Sequence, residues 1–287
     1  MSLLPMRLSK VPFKMVIDAH QHFWLLKDRQ GAWPPPELAA IHRDFLPADL
    51  IPETKASGVS GTVLVQSLPS LDDTRFLLDL ARDHDFVLGV VGWADLKAPD
   101  APQVIAKLAK ADKLKGLRPM LQDLADPNWI DDPALAPAVE VMIEHRLVFD
   151  ALVLEPHLPA LHAFASRYPG LPIVIDHGAK PRIASGHFTG WRHAMSRLAK
   201  LPHLYCKLSG LLTEAGEQRQ EALRPYIETI LELFGAERVI WGSDWPVLNL
   251  AGSYSSWINQ CRQIVPQADQ DAVMGGNAIR VYGLKGC

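Results

Sequence analysis

The sequence predicts an α/β fold, a single (β/α)8 barrel of the TIM type, on three observations. The chain has 287 residues, of which 48% are hydrophobic and 21% charged, and a barrel of this type uses about 250 residues. Short apolar runs recur about every 25 to 45 residues and alternate with longer amphipathic stretches, the pattern of βαβ units and a parallel sheet. Most of these runs end in a polar residue, as expected where strands deliver side chains to one end of a barrel.

Eight apolar runs are the expected strands. They are bounded by turn-forming or charged residues, as buried strands usually are. In chain order they span residues 16–22, 61–66, 87–93, 115–118, 147–152, 171–177, 203–208 and 238–244. Since no GxGxxG or GxxxxGK[ST] motif follows an early strand, an open nucleotide-binding sheet is the less favoured arrangement.

Helical periodicity fills most intervals between these strands. The expected helices span residues 73–84, 103–111, 134–145, 159–167, 191–200, 221–234, 257–265 and 267–281. The prolines at 34–36 fall in a long connection after the first strand, where they stiffen a loop above the barrel mouth. No repeat or linker indicates a second domain, so we expect residues 1–14 to be an N-terminal extension and residues 15–287 to form one barrel domain.

Composition and charge exclude several classes of partner. Lys and Arg total 29 against 32 Asp and Glu, a net charge of -3 without long runs of one sign, so neither nucleic acid nor a membrane surface is expected as a partner. Residues 1–14 lack the apolar core of a signal peptide, and no stretch of about 20 apolar residues is present to span a membrane. The cysteines at 206, 261 and 287 have no disulfide or CxxC spacing, which indicates a reducing compartment. We therefore expect a cytoplasmic protein that acts on a small molecule.

Polar residues at the strand ends form the expected functional site. His20 and His22 lie two apart on the first strand and should point the same way, whereas Asp244 ends the last strand and meets them only if the sheet closes. The residues that end the eight strands are His20 and His22, Gln66, Trp93, Arg118, Asp150, His177, Lys207 and Asp244. Because active sites of such barrels form at the C-terminal ends of the strands, we expect these side chains to converge.

Several of these residues also have structural interpretations when each is taken alone. His177 is compatible with a core histidine or a cap, and Lys207 with Asp150 is compatible with a buried ion pair. Asp18 and Asp176 either orient the histidines as hydrogen-bond acceptors or face the helices. The occurrence of all of them together favours a shared site.

Four segments together resemble a known family. They are residues 16–24 (VIDAHQHFW), 115–119 (KGLRP), 174–177 (VIDH) and 241–246 (WGSDWP). They resemble the amidohydrolase-2 branch of the amidohydrolase superfamily, and within it the sugar-lactonase group of L-fuconolactonase-like and L-rhamnonolactonase-like enzymes. The resemblance covers the chain from Met15 onward. It implies an amidohydrolase-like barrel and a carboxylic-ester hydrolase that opens an aldonolactone, namely L-fucono-1,5-lactone or a related galacto-configured or 6-deoxy lactone. A metal-dependent decarboxylase or another hydrolase of the same branch is the alternative.

The resemblance also suggests roles for individual residues. The expected catalytic residues are Asp244, His177, His22 and Arg118. In this hypothesis Asp244 activates water, while Arg118 with either His22 or His177 stabilises the oxyanion. The expected sugar contacts are Trp24, whose ring face suits a sugar, and Asp150, Lys207 and Gln66.

No metal is required in this hypothesis. Many relatives complete a metal site with a carboxylated Lys on strand four or a His on strand five, and this chain has Arg118 and Asp150 there. His20, His22 and Asp244 with water still form a three-ligand set that suits Zn²⁺, although the charge of Arg118 opposes an ion. We therefore expect a lactonase that needs no cofactor and in which zinc binding is optional.

Overall fold

The computed structural model of the protein describes residues 15–29, 32–216 and 220–285. The predicted extension at 1–14 and Cys287 lie outside the described residues. Eight parallel strands form one sheet in sequential order. They are β1 (Ile17–Gln21), β2 (Gly61–Val65), β3 (Val87–Gly92), β4 (Leu114–Leu117), β5 (Val148–Ala151), β6 (Ile173–Ile175), β7 (Leu204–Leu208) and β8 (Val239–Trp241). The predicted (β/α)8 barrel is confirmed, with all eight strands at their expected places.

Ten α-helices surround the sheet in the described part of the chain. They are α1 (Pro47–Ser57), α2 (Leu71–Asp83), α3 (Ala101–Leu108), α4 (Ala136–Glu144), α5 (Leu158–Arg167), α6 (Thr189–Leu198), α7 (Leu211–Glu214), α8 (Arg224–Phe234), α9 (Tyr254–Ile264) and α10 (Asn277–Val281). A π-helical segment, Ala272–Gly276, precedes α10. None of the described helices is long and apolar enough to cross a membrane.

Two of these helices were not predicted from the sequence. Helix α1 carries Pro47 in its first turn and Pro52 inside it, and proline normally indicates a break because it lacks the N–H that a helix needs. Leu50 nevertheless buries its side chain against the core, so packing outweighs one missing hydrogen bond. Helix α7 has only four residues, which is too short for a periodic pattern to predict it.

Residues just after β8 close the barrel against β1. Gln21 forms a parallel bridge with Trp245. The backbone N–H of Asp244 donates to the carbonyl of His20 at 2.7 Å, and the N–H of His22 donates to the carbonyl of Trp245 at 2.8 Å. Closure of the sheet therefore places the two histidines of the first strand beside the carboxylate that follows the last strand.

A carboxylate on the outer side of β1 reinforces this closure. Asp18 accepts hydrogen bonds from the backbone N–H of Ser243 at 2.8 Å, from the Ser243 hydroxyl at 2.6 Å and from the Tyr254 hydroxyl at 2.9 Å. Burial raises the pKa of Asp18 to about 6, although these donors oppose the rise. Of the two interpretations of Asp18, the structure supports the one in which it faces the helices.

An irregularity in β1 determines which side chains face inward. Asp18 pairs with Thr62 and Gln21 with Leu64, so β1 advances three residues where β2 advances two. One extra residue on one strand is the mark of a β-bulge. Ile17 and Ala19 belong to an apolar cluster inside the barrel, and His20 also faces inward, where it meets Lys207. A regular strand would have sent Ala19 and His20 to opposite faces.

Candidate active site

A cavity of about 420 Å³ opens at the C-terminal ends of the strands. All four predicted catalytic residues lie in its wall: His22, Arg118, His177 and Asp244. The volume is within the usual range of small-molecule sites. A larger cavity, of about 640 Å³, lies between the loop after β1 and the start of α2 and contains none of the predicted site residues.

Three imidazoles surround one carboxylate oxygen in this site. Oδ1 of Asp244 lies 3.2 Å from Nε2 of His22, 3.6 Å from Nε2 of His20 and 3.9 Å from Nε2 of His177. Burial favours a raised pKa for Asp244, but the three histidines outweigh it and hold the pKa below the usual range. Asp244 is therefore ionised at neutral pH. Burial also lowers the pKa of His177 to about 4, so this ring is neutral there.

The tautomer of His22 follows from its second hydrogen bond. Nδ1 of His22 lies 2.7 Å from the carbonyl oxygen of Val65, and because a carbonyl only accepts, Nδ1 carries the proton. Burial lowers the pKa of His22, whereas a hydrogen bond from Nε2–H to Asp244 raises it, so Nε2 either donates a proton to Asp244 or, in the neutral ring, presents a lone pair to the carboxylate. Nε2 of His22 and Oδ1 of Asp244 are 3.2 Å apart, and a proton or a cation between these two atoms stabilises them.

The same atoms form a donor set for a metal ion. One ligand atom each from His20, His22 and Asp244 lies within 4.8 Å of the others, and three such ligands with water are usual for catalytic zinc. Arg118 opposes the ion, because its Nη1 lies 3.3 Å from Nε2 of His20 and competes for the lone pair that a metal would use. The residues fit an ion by type and spacing, while the adjacent guanidinium weakens its binding.

Arg118 is held in the wall by two neighbouring residues. Its Nη2 donates to the backbone carbonyl of Gln66, and the Gln66 side chain donates back to the carbonyl of Arg118 at 2.7 Å. Nη1 donates to Oδ2 of Asp176 at 3.3 Å. Gln66 is fully buried and lies outside the cavity wall, so its place in the structure is that of a support for Arg118 rather than of a sugar contact.

A cluster of buried charges lies directly beneath the site. Nζ of Lys207 lies 2.5 Å from Oδ2 of Asp150, 3.1 Å from Oδ1 of Asp176 and 3.2 Å from Nδ1 of His20. Burial raises the pKa of Asp150 to about 6, although Lys207 opposes the rise. Lys207 and Asp150 are fully buried, so they correspond to the buried ion pair that the sequence left open. The geometry gives no support to sugar contacts by these two residues.

The tryptophan predicted to contact the sugar is also buried. Trp24 is 0% exposed, and its indole N–H donates to the carbonyl of Arg43 at 2.7 Å. Its ring lies edge-on against Trp33, with the ring centroids 5.3 Å apart. Trp33, and not Trp24, lies in the cavity wall, so the loop stiffened by prolines supplies the aromatic surface.

A left-handed turn after β6 carries two residues of the cavity wall. Four consecutive residues, His177, Gly178, Ala179 and Lys180, have φ values of 53°, 57°, 61° and 48°. This conformation costs residues other than glycine about 1–2 kcal/mol each. The indole N–H of Trp191 donates to the Gly178 carbonyl at 2.7 Å and helps to hold the turn. His177 and Lys180 consequently lie in one wall three residues apart.

Replacing Gly210 with Ala should displace His177. Gly210 has a φ of +64°, and an added Cβ would overlap the His177 ring, whose Nδ1 lies 2.9 Å from the Ser209 hydroxyl. We expect the left-handed backbone alone to lower the free energy of unfolding by about 1–2 kcal/mol, and loss of the aligned imidazole to lower kcat/KM by about tenfold or more. Urea unfolding measures the first effect, and hydrolysis of the aldonolactone expected from the sequence measures the second.

Gly186→Ala is the matched control for this substitution. Gly186 has a φ of +68°, and an added Cβ would meet nothing within 4 Å. It should lose similar stability from the backbone but keep its activity. Equal activity of the Gly210→Ala and Gly186→Ala proteins would contradict the positioning of His177 by Gly210.

Comparison with known proteins finds one matching family model and sequence relatives that agree with each other. The family model described as amidohydrolase matches residues 17–284. The chain is 56% identical to an L-fucono-1,5-lactonase of Burkholderia ambifaria over 278 residues, which cover 93% of this chain and 95% of that protein. It is 37% identical to an L-fucono-1,5-lactonase of Burkholderia multivorans over 284 residues, or 93% of this chain and 96% of the other.

Solved structures agree with these relatives. An amidohydrolase from Burkholderia multivorans, crystallised once with HEPES and once with zinc, superposes with a TM-score of 0.88 at 37% identity, covering 94% of this chain and 99% of the other. The 5-carboxyvanillate decarboxylase of Sphingomonas paucimobilis has a TM-score of 0.67 at 15% identity, covering 95% of this chain and 100% of the other. The second similarity concerns the fold alone.

Proposed function

Since the chain belongs to the amidohydrolase family, we propose that it is a lactonase that opens a sugar lactone, with L-fucono-1,5-lactone as its substrate. The observation that carries this proposal is Asp244 ringed by three imidazoles, in the wall of a cavity that it shares with Arg118 and that is large enough for one sugar ring. The 56% identity to the Burkholderia ambifaria lactonase supports the substrate.

In the proposed mechanism Asp244 is the general base. A water molecule gives one proton to the carboxylate, and its oxygen attacks the lactone carbonyl carbon to form a tetrahedral intermediate. Collapse of the intermediate breaks the bond between the carbonyl carbon and the ring oxygen, and Asp244 returns the proton to that oxygen, so the product is the open hydroxy acid. A positioned base contributes about 10² to 10⁴ in rate. The low pKa of Asp244 keeps the base form populated at neutral pH, although it makes the carboxylate a weak base.

The geometry favours His177 over His22 as the second oxyanion donor. Nε2 of His22 carries no proton in the neutral ring, because Nδ1 donates to Val65, so His22 acts as an acceptor for the water. We propose that the Ser209 hydroxyl donates to Nδ1 of His177 at 2.9 Å, which leaves the Nε2–H of His177 available to the oxyanion beside Arg118. Such preorganised donors contribute about 2.7–4 kcal/mol in favourable cases.

A metal ion is optional in this proposal. His20, His22 and Asp244 would hold it, and when bound it would act as a Lewis acid that lowers the pKa of a coordinated water. The proposed base and donors belong to the chain itself, so the reaction does not depend on the ion. We also propose a cytoplasmic location, which the free thiols of Cys206 and Cys261 support.

Hydrolysis of a lactone panel tests the proposal. Proton release is followed from L-fucono, L-rhamnono, D-galactono, L-galactono and D-arabinono lactones, with the enzyme used directly or after prior chelation. We expect the highest kcat/KM for L-fucono-1,5-lactone and retention of activity after chelation. Silence across the panel would overturn the lactonase assignment. Activity that is lost on chelation and restored by Zn²⁺ would overturn the metal-independent mechanism and leave the lactonase assignment intact.

A further inference from the structure

Polar groups outside the catalytic cluster are concentrated on one part of the cavity wall. The segments after β4, β6 and β7 contribute the polar residues Gln122, Asp123, Lys180, Thr213 and Glu214, beside the apolar Met120 and Leu152 that follow β4 and β5. The segments after β8 and β1 contribute Val247, Leu250 and Trp33, and Ser67 follows β2. Because the strands follow one another in sequence around the barrel, β8 adjoins β1, and these three apolar residues lie together. The charged groups outside the catalytic cluster, Asp123, Lys180 and Glu214, are therefore all on one side of the cavity, and a ligand meets none of them on the side formed by Val247, Leu250 and Trp33.

Lys180 is the centre of the polar part. Its Nζ lies 3.1 Å from Oε1 of Gln122 and 3.4 Å from Oε1 of Glu214. The side chains of Lys180 and Glu214 are 24% and 23% exposed, so both are partly desolvated and still reach the cavity. An ammonium has three N–H donors, and these two neighbours account for two of them. The remaining donor and the carboxylate oxygens of Glu214 can bind adjacent hydroxyl groups.

The backbone of Lys180 indicates that its position matters for more than packing. Its φ is 48°, a left-handed conformation that is strained for lysine and free for glycine. Strain of this kind persists where a side chain must be presented at a functional site.

We propose that Lys180, held by Gln122 and Glu214, is the specificity-determining residue that binds the ring hydroxyls of the lactone. The proposal rests on the lactonase function proposed above and adds the orientation of the ring. The hydroxyl-bearing carbons face the side formed by β4 to β7, and the 6-methyl group faces Val247 and Leu250. A 6-deoxy sugar lactone has this division between polar and apolar edges.

Two lactones separate hydroxyl binding from the chemistry of ring opening. L-Fucono-1,5-lactone carries three ring hydroxyls, and δ-hexalactone has the same six-membered ring and methyl group without them. Sites that hydrogen-bond a substrate hydroxyl discriminate strongly against analogues that lack it. We therefore expect kcat/KM of the unmodified enzyme to be about 10²-fold or more higher for L-fucono-1,5-lactone.

Lys180→Met is the decisive variant. The variant loses a charge-assisted hydrogen bond to a substrate hydroxyl, so kcat/KM for L-fucono-1,5-lactone should fall about tenfold or more, chiefly through KM. For δ-hexalactone it should fall less than about threefold, so the ratio between the two substrates falls. Lys200→Met, at an exposed position near the end of α6, is the matched control and should leave the ratio unchanged. Equal losses for both lactones, or no loss for either, would overturn the proposal.

Lys180→Gly provides a second readout that does not depend on turnover of the methionine variant. Glycine relieves the left-handed strain, so Tm should rise by about 2 °C or more while the substrate ratio falls as for Lys180→Met. A glycine variant with a lower Tm and an unchanged ratio would show that Lys180 stabilises the turn, and would overturn its role in specificity. If the unmodified enzyme hydrolyses neither lactone, it is the proposed function that fails.

Discussion

Asp244→Asn is expected to lower kcat/KM for L-fucono-1,5-lactone by about 10³-fold or more while the barrel stays folded. Asparagine has nearly the same shape but cannot take a proton from water. It also removes the negative charge that faces Nε2 of His20, His22 and His177 at 3.2 to 3.9 Å. Steady-state hydrolysis measures the loss, and circular dichroism with urea unfolding verifies the fold.

Asp123→Asn is the matched control for this substitution. Asp123 lies in the same cavity wall, but its side chain is exposed. The imidazoles of His20, His22 and His177 surround Asp244, not Asp123. It should retain most of its activity. Near-normal turnover by the Asp244→Asn protein would rule out Asp244 as the base, and a comparable loss in Asp123→Asn would show that general cavity charge is responsible.

Lys207→Met is expected to have the largest effect on stability, a loss of about 3–5 kcal/mol in the free energy of unfolding. The substitution leaves Asp150 and Asp176 facing each other in the barrel interior without the ammonium that lies 2.5 Å and 3.1 Å from them. Removal of one partner from a buried ionic cluster is costly because the remaining charges stay desolvated. Urea or thermal unfolding at pH 7 measures the effect.

A double variant and a pH series separate charge from packing at this position. Lys207→Met with Asp150→Asn should recover part of the stability, because one uncompensated charge is removed. Burial raises the pKa of Asp150 to about 6 even with Lys207 present, and loss of the ammonium raises it further. A group with a raised folded pKa stabilises at low pH and loses that contribution as the pH rises through it. The loss should therefore be smaller at pH 5 than at pH 7; a pH-independent loss without recovery in the double variant would indicate a packing defect.

The sequence could predict the strands and the cavity because both depend on strong regularities. Eight apolar runs at barrel spacing allow few alternatives, and a side chain just beyond a strand end has to reach the rim. Arg118, His177 and Asp244 lie one, two and three residues beyond the ends of β4, β6 and β8, and each lies in the cavity wall.

The same reasoning could not distinguish depth within the barrel. Asp150 lies inside β5 and Lys207 inside β7. Both point inward like the residues of the cavity wall, but they reach the barrel interior below the rim. Predicting the depth of a side chain requires strand ends that are known to within one residue, and apolar patterns do not locate them so closely. Lys180 was missed because it lies in a left-handed turn, where no period predicts orientation, and Glu214 because it ends the four-residue helix α7, which is too short for a periodic pattern.

The segment after α10 affects when the active site can form during folding of the chain. Tyr282 fills the interior of the barrel and donates to Asp150 at 2.9 Å, and Asp150 holds the Lys207 that contacts His20. His20 is among the first residues of the barrel to be synthesised, whereas this support is complete only after residue 282 has been added. A half-barrel fragment, or a chain interrupted before α10, would carry the catalytic side chains of its own strands without the arrangement that makes them an enzyme.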